Sequence, residues 1–442
     1  MALTLLLIGL APLAAAIVIL VQMVSSRPVL PPDAPREVRG WPLVGCVDFF
    51  RRRRDFLLWG SRIGPGRQFS FFYGPHPIVA VSGPEARASF FNARGLDLGA
   101  GFAGLYAASP TIEHLPEGNV SGNFMSLAKR LLHRDRLEAV LPTMITDADT
   151  ALATTEPIME PFSLMLRLVY KLTHRTLGSN DVADDEGLLE ETLAVFGKLD
   201  QSSAVEIMFP GLFTPNKLRK MLAGLKLHRL INSTFNAAWI LVYLGTDADW
   251  YGRIRSEVDD SIARHRLANE TPAKTLTRLS LSDWESDFPL VELAMRETIR
   301  LIGRGVCMRK NVSGSDVEIG TSGCVIPRGA YAVCGLEDAH MDEGLYPDAD
   351  RWDPDRYACG REAEKQGPHD YLGWGSGLHP CLGMRFAKLE IIITTVTTFA
   401  HYDFHRCDEH GERVSLPLPG LVRSSIGEKR PEHDVFLRLG VS

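Results

Sequence analysis

Residues 374–390 read WGSGLHPCLGMRFAKLE, which places Cys381 among three glycines and directly ahead of an apolar run from Met384 to Phe399. No other stretch constrains the fold as tightly. Gly375, Gly377 and Gly383 allow the backbone to turn sharply and to lie flat against a large planar ligand, because a residue without a Cβ tolerates close approach and left-handed torsions. Pro380 stiffens the position next to the sulfur. A helix starting just after Cys381 would aim its free N–H groups at the sulfur and lower the thiol pKa, the state in which a cysteine ligates iron.

Two further patterns precede it in a fixed order. MRETIRL contains Glu297 and Arg300, three apart and so on one helix face, where they can pair. RWDPDRY supplies Arg356, a second guanidinium able to bracket the same carboxylate. Together with Trp374, Gly375, Gly377, His379, Cys381 and Gly383, these residues resemble the signatures of the cytochrome P-450 family, with Trp374 standing where that family usually has phenylalanine. The resemblance runs from about Pro31 onward.

It implies a mainly α fold with small β-sheets (α+β), the cytochrome P-450 fold. It also implies haem b with Cys381 as the axial thiolate, and Glu297, Arg300 and Arg356 as a buried structural network. His379 and Arg309 match positions that hold haem propionates, with Lys129 a further candidate on MSLAKRLLHRDRL. The W-x-x-x-R pattern common on that helix is absent. The helix resembles those of the sterol 14-demethylase and cholesterol 7-hydroxylase branches.

The distal helix departs from the family. Its usual acid–alcohol pair relays protons toward bound dioxygen, whereas here the stretch is LINSTFNAAWILVYLG. Aligning Trp239 with the aromatic that often follows the pair puts Ile231 at the acid position and Asn232 at the alcohol position. An amide donates a hydrogen bond but does not titrate near neutral pH. Asparagine here resembles both prostacyclin synthase and the allene oxide synthases, which rearrange peroxides without a reductase, and the cholesterol 7-hydroxylase type, which are monooxygenases. Ser233 and Thr234 are the hydroxyls that could restore proton delivery through water. Between FPGLFTPN and this helix only KLRKMLAGLKLHR intervenes, shorter than the family's usual pocket roof.

The N-terminal segment carries the other strong signal. Leu3 to Met23 is uncharged, and at 1.5 Å per residue about 20 residues span a hydrocarbon core of roughly 30 Å. No Lys or Arg precedes Arg27, while Arg27, Arg36, Arg39 and Arg51 to Arg54 follow, so the positive-inside rule puts the domain in the cytosol. The expected organisation is a transmembrane signal anchor over 1–26, a proline-rich hinge over 27–45 and a haem-binding catalytic domain over 46–442, on the endoplasmic reticulum membrane as a single-pass protein. The sequons at Asn119, Asn232, Asn269 and Asn311 are read as accidental.

Of the 442 residues 45% are hydrophobic, enough for one large core, and no linker or repeat divides the interior. The net charge of -6 argues against a nucleic-acid partner, and the seven cysteines form no C-x-x-C pair. RQFSFFYG and PIVAVSG read as strands, and DVEIGTSGCVIPRGAYAVCG as a second small sheet. Leu127, Leu131, Leu132, Leu137 and Leu141 fit one helix face, as does the segment from Leu164 to Leu172.

The resemblance then implies a monooxygenase acting on a lipophilic terpenoid, steroid or fatty acyl compound, with NADPH-cytochrome P-450 reductase and membrane lipid as partners. Its alternatives are a reductase-independent isomerase or dehydratase of a peroxide, and a catalytically silent membrane haem protein. Pocket contacts are expected around Phe102 to Tyr106, Phe209 to Phe213, and Leu421 to Val422.

Overall fold

A computed structural model describes residues 27–42, 44–105, 126, 128–199, 231–303, 305–358, 367–414, 417–418, 420–421 and 430–441. The expected anchor over 1–26, Leu127, Tyr106, Phe209 to Phe213 and Val422 lie outside the described residues. Among those described, no helix is long and apolar enough to cross a membrane.

The chain is mainly helical with small sheets. The largest sheet has the order β1 (Glu37–Val38), β2 (Phe69–Tyr73), β3 (His76–Val81), β9 (Tyr331–Gly335), β6 (Val306–Asn311), β4 (Leu96–Asp97). Within it β2 and β3, the two strands read in RQFSFFYG and PIVAVSG, pair antiparallel. A second sheet joins β12 (Tyr402–Cys407), β13 (Phe436–Val441) and β5 (Ile158–Met159). The predicted second small sheet divides in two. Val317–Glu318 (β7) and Val325–Ile326 (β8) make a hairpin, whereas Tyr331–Gly335 runs parallel to β3 in the main sheet. That pairing joins residues some 250 positions apart.

The described part of the hinge segment contains no helix, turns where Ala34 N donates to Pro31 O at 3.0 Å, and is held to the domain. Glu37 and Val38 pair with Ser70 and Phe71, Arg27 Nε donates to Gly74 O at 3.0 Å, and Val325 N donates to Asp33 O at 3.0 Å. Asn311 is 1% exposed and its amide is spent on the carbonyls of Ser315, Ile326 and Pro327, which suits an unmodified sequon.

The helices that position the site are α1 (Pro84–Asn92), α2 (Leu98–Leu105), α3 (Arg134–Ala153), α4 (Pro161–Leu177), α5 (Ile231–Leu244), α6 (Ala248–His265), α7 (Pro289–Ile302) and α8 (Met384–His401). The leucine face expected to run unbroken from Leu127 to Leu141 is interrupted, because the chain leaves helical geometry at His133 (φ -67°, ψ 151°) before α3 begins. Helix α4 starts where Glu160 accepts from Phe162 N and Ser163 N with Pro161 in the first turn, and it stops at Gly178 in the left-handed region (φ +84°).

Helix α8 is the hub. Ile391, Ile393, Val396 and Phe399 are fully buried, each stabilising the core by about 1.5–3 kcal/mol relative to exposure. It packs on α3, α4, α5 and α7. From Leu389 to Ala400 the axis is buried on every side, which anchors the helix whose N-terminal turn follows Cys381.

Candidate active site

The cysteine turn is a small hairpin. Gly375–Ser376 (β10) pairs antiparallel with His379–Pro380 (β11), and Cys381 N donates to Trp374 O at 2.7 Å. Trp374 is half-buried and packs against the main core. Two of the three glycines serve the hairpin itself. Gly375 has φ +71° and Gly377 φ +61°, and a Cβ on Gly377 would lie 2.3 Å from Phe91 O, so its close neighbour is α1, not a ligand. Only Gly383 faces open space, with nothing within 4 Å of where a Cβ would stand.

Cys381 is exposed on its open side, flanked by the exposed apolar side chains of Leu378 and Met384. Burial on its other sides pushes the thiol above its ordinary pKa, while the Gly383 N–H at the start of α8 pulls it back down. The helix N-terminus acts in the expected direction through the Gly383 N–H, and desolvation is the larger influence on the thiol.

Arg309, on β6, is 3% exposed, lies 5.2 Å over the Phe90 ring and donates from Nη1 to Met308 O at 2.9 Å. Its buried Nε has no partner among the described residues. Burial lowers the pKa of His379, and the Arg309 charge lowers it further, so the two bases share one neighbourhood. The Asp97 carboxylate acts on both bases electrostatically, but among the described residues no carboxylate accepts from the buried Arg309 Nε, which leaves that donor for a carboxylate brought by a ligand. The haem propionates are such groups, and a planar macrocycle suits the apolar rim around Cys381, so the residues present fit haem. Lys129 is exposed and joins none of these contacts.

Behind the turn, Glu297, Arg300 and Arg356 meet. Arg300 donates twice to the Glu297 carboxylate, and Arg356 Nε donates to Glu297 Oε1 at 3.1 Å together with Asp353 N at 3.1 Å. The remaining guanidinium donors reach backbone carbonyls, Arg300 Nη1 to His340 O at 2.6 Å and Arg356 Nη2 to Asp348 O at 2.8 Å. The assembly ties α7 to the short 3-10 helix Pro354–Tyr357 that carries Arg356.

Helix α5 is the predicted distal helix. Asn232 lies in its first turn, with a side chain outside the described positions, and Ser233 is 5% exposed. Sequence reasoning missed the group that Ser233 adjoins. Glu390, on α8, is fully buried, with Oε1 accepting from Thr173 Oγ1 of α4 at 2.9 Å and Ser233 beside it. The available signal was a single carboxylate ahead of the apolar and threonine run IIITTVTTFA. Of the expected pocket contacts, Phe102 lies on α2, which packs against β6, and Leu421 packs against the main core.

Residues 232–429 match the family model for cytochrome P450. The chain is 27% identical to cytochrome P450 monooxygenase AacuE of Aspergillus aculeatus, over 86% of this chain and 89% of that protein. It is 25% identical to cytochrome P450 monooxygenase nsrP of Aspergillus novofumigatus, over 86% and 84%. It is 27% identical to cytochrome P450 monooxygenase claM of Passalora fulva, over 91% and 88%. The structure of retinoic acid bound cyanobacterial CYP120A1 aligns with a TM-score of 0.63 at 17% identity, covering 94% of this chain and 100% of that one, which establishes the shared fold. The Cys381 turn, the fold and these relatives together make the chain a member of the cytochrome P450 family and an oxidoreductase of the monooxygenase type.

Proposed function

We propose that the protein is a membrane-anchored haem-thiolate monooxygenase that inserts one oxygen atom into a lipophilic terpenoid, steroid or fatty acyl compound, using electrons passed from NADPH by a cytochrome P450 reductase. The observation that carries this reading is the Cys381 turn, a sulfur held between the β10–β11 hairpin and the N-terminus of α8 with the Gly383 N–H directed at it.

Cys381 Sγ is the iron ligand in this reading, and Arg309 and His379 hold the propionates. Haem b bound there supplies dioxygen activation. Gly383 N–H moderates the charge on the sulfur. In this reading the Asn232 amide would donate a hydrogen bond toward the bound oxidant, and the Ser233 hydroxyl would move protons. The uncharged run from Leu3 to Met23 anchors the chain in the endoplasmic reticulum membrane, and the arginines that follow keep the domain cytosolic.

The reduced protein under carbon monoxide should show the strongly red-shifted Soret band of thiolate-ligated haem, and Cys381→Ala should abolish it. An unshifted band in the intact protein overturns the reading. With reductase present, NADPH and dioxygen consumption should accompany oxidation of a lipophilic substrate. Turnover of a hydroperoxide with no reductase needed would instead assign an isomerase.

A further inference from the structure

The run Arg51 to Arg54 does not behave as one solvated patch. Arg51 and Arg52 are exposed, and Arg54 Nε donates to Glu337 Oε1 at 2.9 Å. Arg53 turns inward and is 2% exposed. It opens the helix Arg53–Ile63 directly after a break at Arg52 (φ -141°, ψ 53°), and its Nε donates to Phe49 O at 3.0 Å. Its guanidinium carbon lies 4.9 Å from the centre of the Phe49 ring and 5.6 Å from that of Phe50.

The two terminal nitrogens, Nη1 and Nη2, are buried and have no hydrogen-bond partner among the described residues. Arg87, Arg300 and Arg356 are buried too, but each grips a carboxylate. Around Arg53 the carboxylates are already matched. Glu337 is held by Arg54, while Asp338 accepts from Arg87 Nη1, Ser82 Oγ and Gly83 N. Burial brings the Arg53 pKa down to about 10 and no neighbouring charge raises it, so the side chain is charged at neutral pH. An isolated charge in such surroundings is strongly destabilising. Packing over two phenylalanine rings needs only an apolar stem, which methionine would supply. What the guanidinium adds is a planar fork with two terminal amino groups.

Arg53 lines a cavity of about 40 Å³, room for one or a few water-sized groups, where Leu57, Phe69, Val81 and Val306 meet. Ser61 and Ser82 also border it, but their hydroxyls already donate to Leu58 O and Asp338. We propose that Arg53 holds a small monovalent anion, a halide such as chloride, in this cavity between the helix Arg53–Ile63 and the point where β3 and β9 end and β6 begins. Charge balance selects the occupant. One unmatched guanidinium takes one negative charge, whereas a divalent phosphate or sulfate would set an uncompensated charge against Glu337 and Asp338. The bound anion ties the helix Arg53–Ile63 to β6, the strand that carries Arg309. This site is separate from the Cys381 turn and does not depend on the reaction proposed there.

The test is urea unfolding of the full chain in chloride and in gluconate at equal ionic strength, so that screening is constant. The folding equilibrium constant of the wild type should rise about tenfold for a tenfold increase in chloride above the dissociation constant, and that of Arg53→Met should stay flat. In gluconate Arg53→Met should equal or exceed the wild type in stability, because the buried charge is gone. Sulfate should stabilise the two proteins alike. Crystals grown with bromide should show its anomalous signal in contact with Nη1 and Nη2. A chloride response shared by the variant, or crystals without bromide at these nitrogens, overturns the site and leaves water as the occupant. A sulfate response confined to the wild type overturns the assignment to a monovalent anion. If Arg53→Met fails to fold, the bromide signal in the wild type decides.

Discussion

Arg300 lays its guanidinium edge-on against the Glu297 carboxylate, Nε to Oε2 and Nη2 to Oε1 each at 2.8 Å, with neither side chain exposed to solvent. Arg356 and Asp353 N complete the shell around the same carboxylate. The gain of such a pair is small once its desolvation is counted, but removing one member strands the others. Glu297→Ala leaves two buried guanidinium groups without a counter-charge and should destabilise the protein by about 3–5 kcal/mol. Denaturant unfolding checks this, and a loss below about 1 kcal/mol would mean that solvent reaches the network.

Gly377 is held at φ +61°, where an added Cβ would sit 2.3 Å from Phe91 O, the acceptor of the Leu378 N–H at 3.1 Å. Gly377→Ala must therefore move the hairpin that carries Cys381. The expected cost is about 1–3 kcal/mol of strain, together with faster loss of haem. Thermal unfolding and haem transfer to an acceptor protein measure the two effects, and a variant with wild-type haem retention would show that the hairpin does not set the position of the sulfur.

Arg309 combines a buried, unpaired Nε with a pKa lowered by burial. Arg309→Met keeps the packing over Phe90 and removes the charge. Haem should dissociate roughly tenfold to a hundredfold faster, the equivalent of about 1.5–3 kcal/mol for one hydrogen bond to a charged group. The stability of the haem-free fold should be unchanged or higher, because an unpaired buried charge is gone. Unchanged haem dissociation would remove Arg309 from the propionate site.

What the sequence made legible is local and chemically demanding. The Cys381 turn needs glycines at positive φ, and Glu297 and Arg300 share a face by helical spacing alone, so a few residues carry the whole pattern. The parallel pairing of Tyr331–Gly335 with β3 depends on strands far apart in the chain, and no local periodicity encodes it. The break at His133 falls within a leucine pattern that is helical on both sides, because tertiary packing of α3 overrides the local pattern. The role of Gly377 could not be read either, since the atom it must avoid belongs to Phe91 on α1. Glu390 was hidden for a related reason: a carboxylate in an apolar helix looks like a surface residue until the helix is seen to be buried on every side.

Glu257, on α6, accepts from Leu290 N at 2.7 Å and Val291 N at 3.1 Å and so caps the start of α7, the helix that carries Glu297 and Arg300. Burial is the largest influence on it and raises its pKa from 4.5 to about 7, Asp287 adds to the rise, and the two backbone amides and Arg264 oppose it. The folded state therefore binds a proton that the unfolded state has already released between these two values. By linkage, stability falls as pH rises from about 4.5 to about 7 and is level above that. Glu257→Gln keeps an acceptor for one of the two amides, a loss that does not depend on pH, and cannot ionise. Its stability relative to wild type should therefore increase from about pH 5 to about pH 7 and then stay constant, a slope tempered by the partial exposure of the side chain. Denaturant midpoints for both proteins across this range provide the measurement, and parallel curves would show that the α7 amides hold Glu257 ionised throughout.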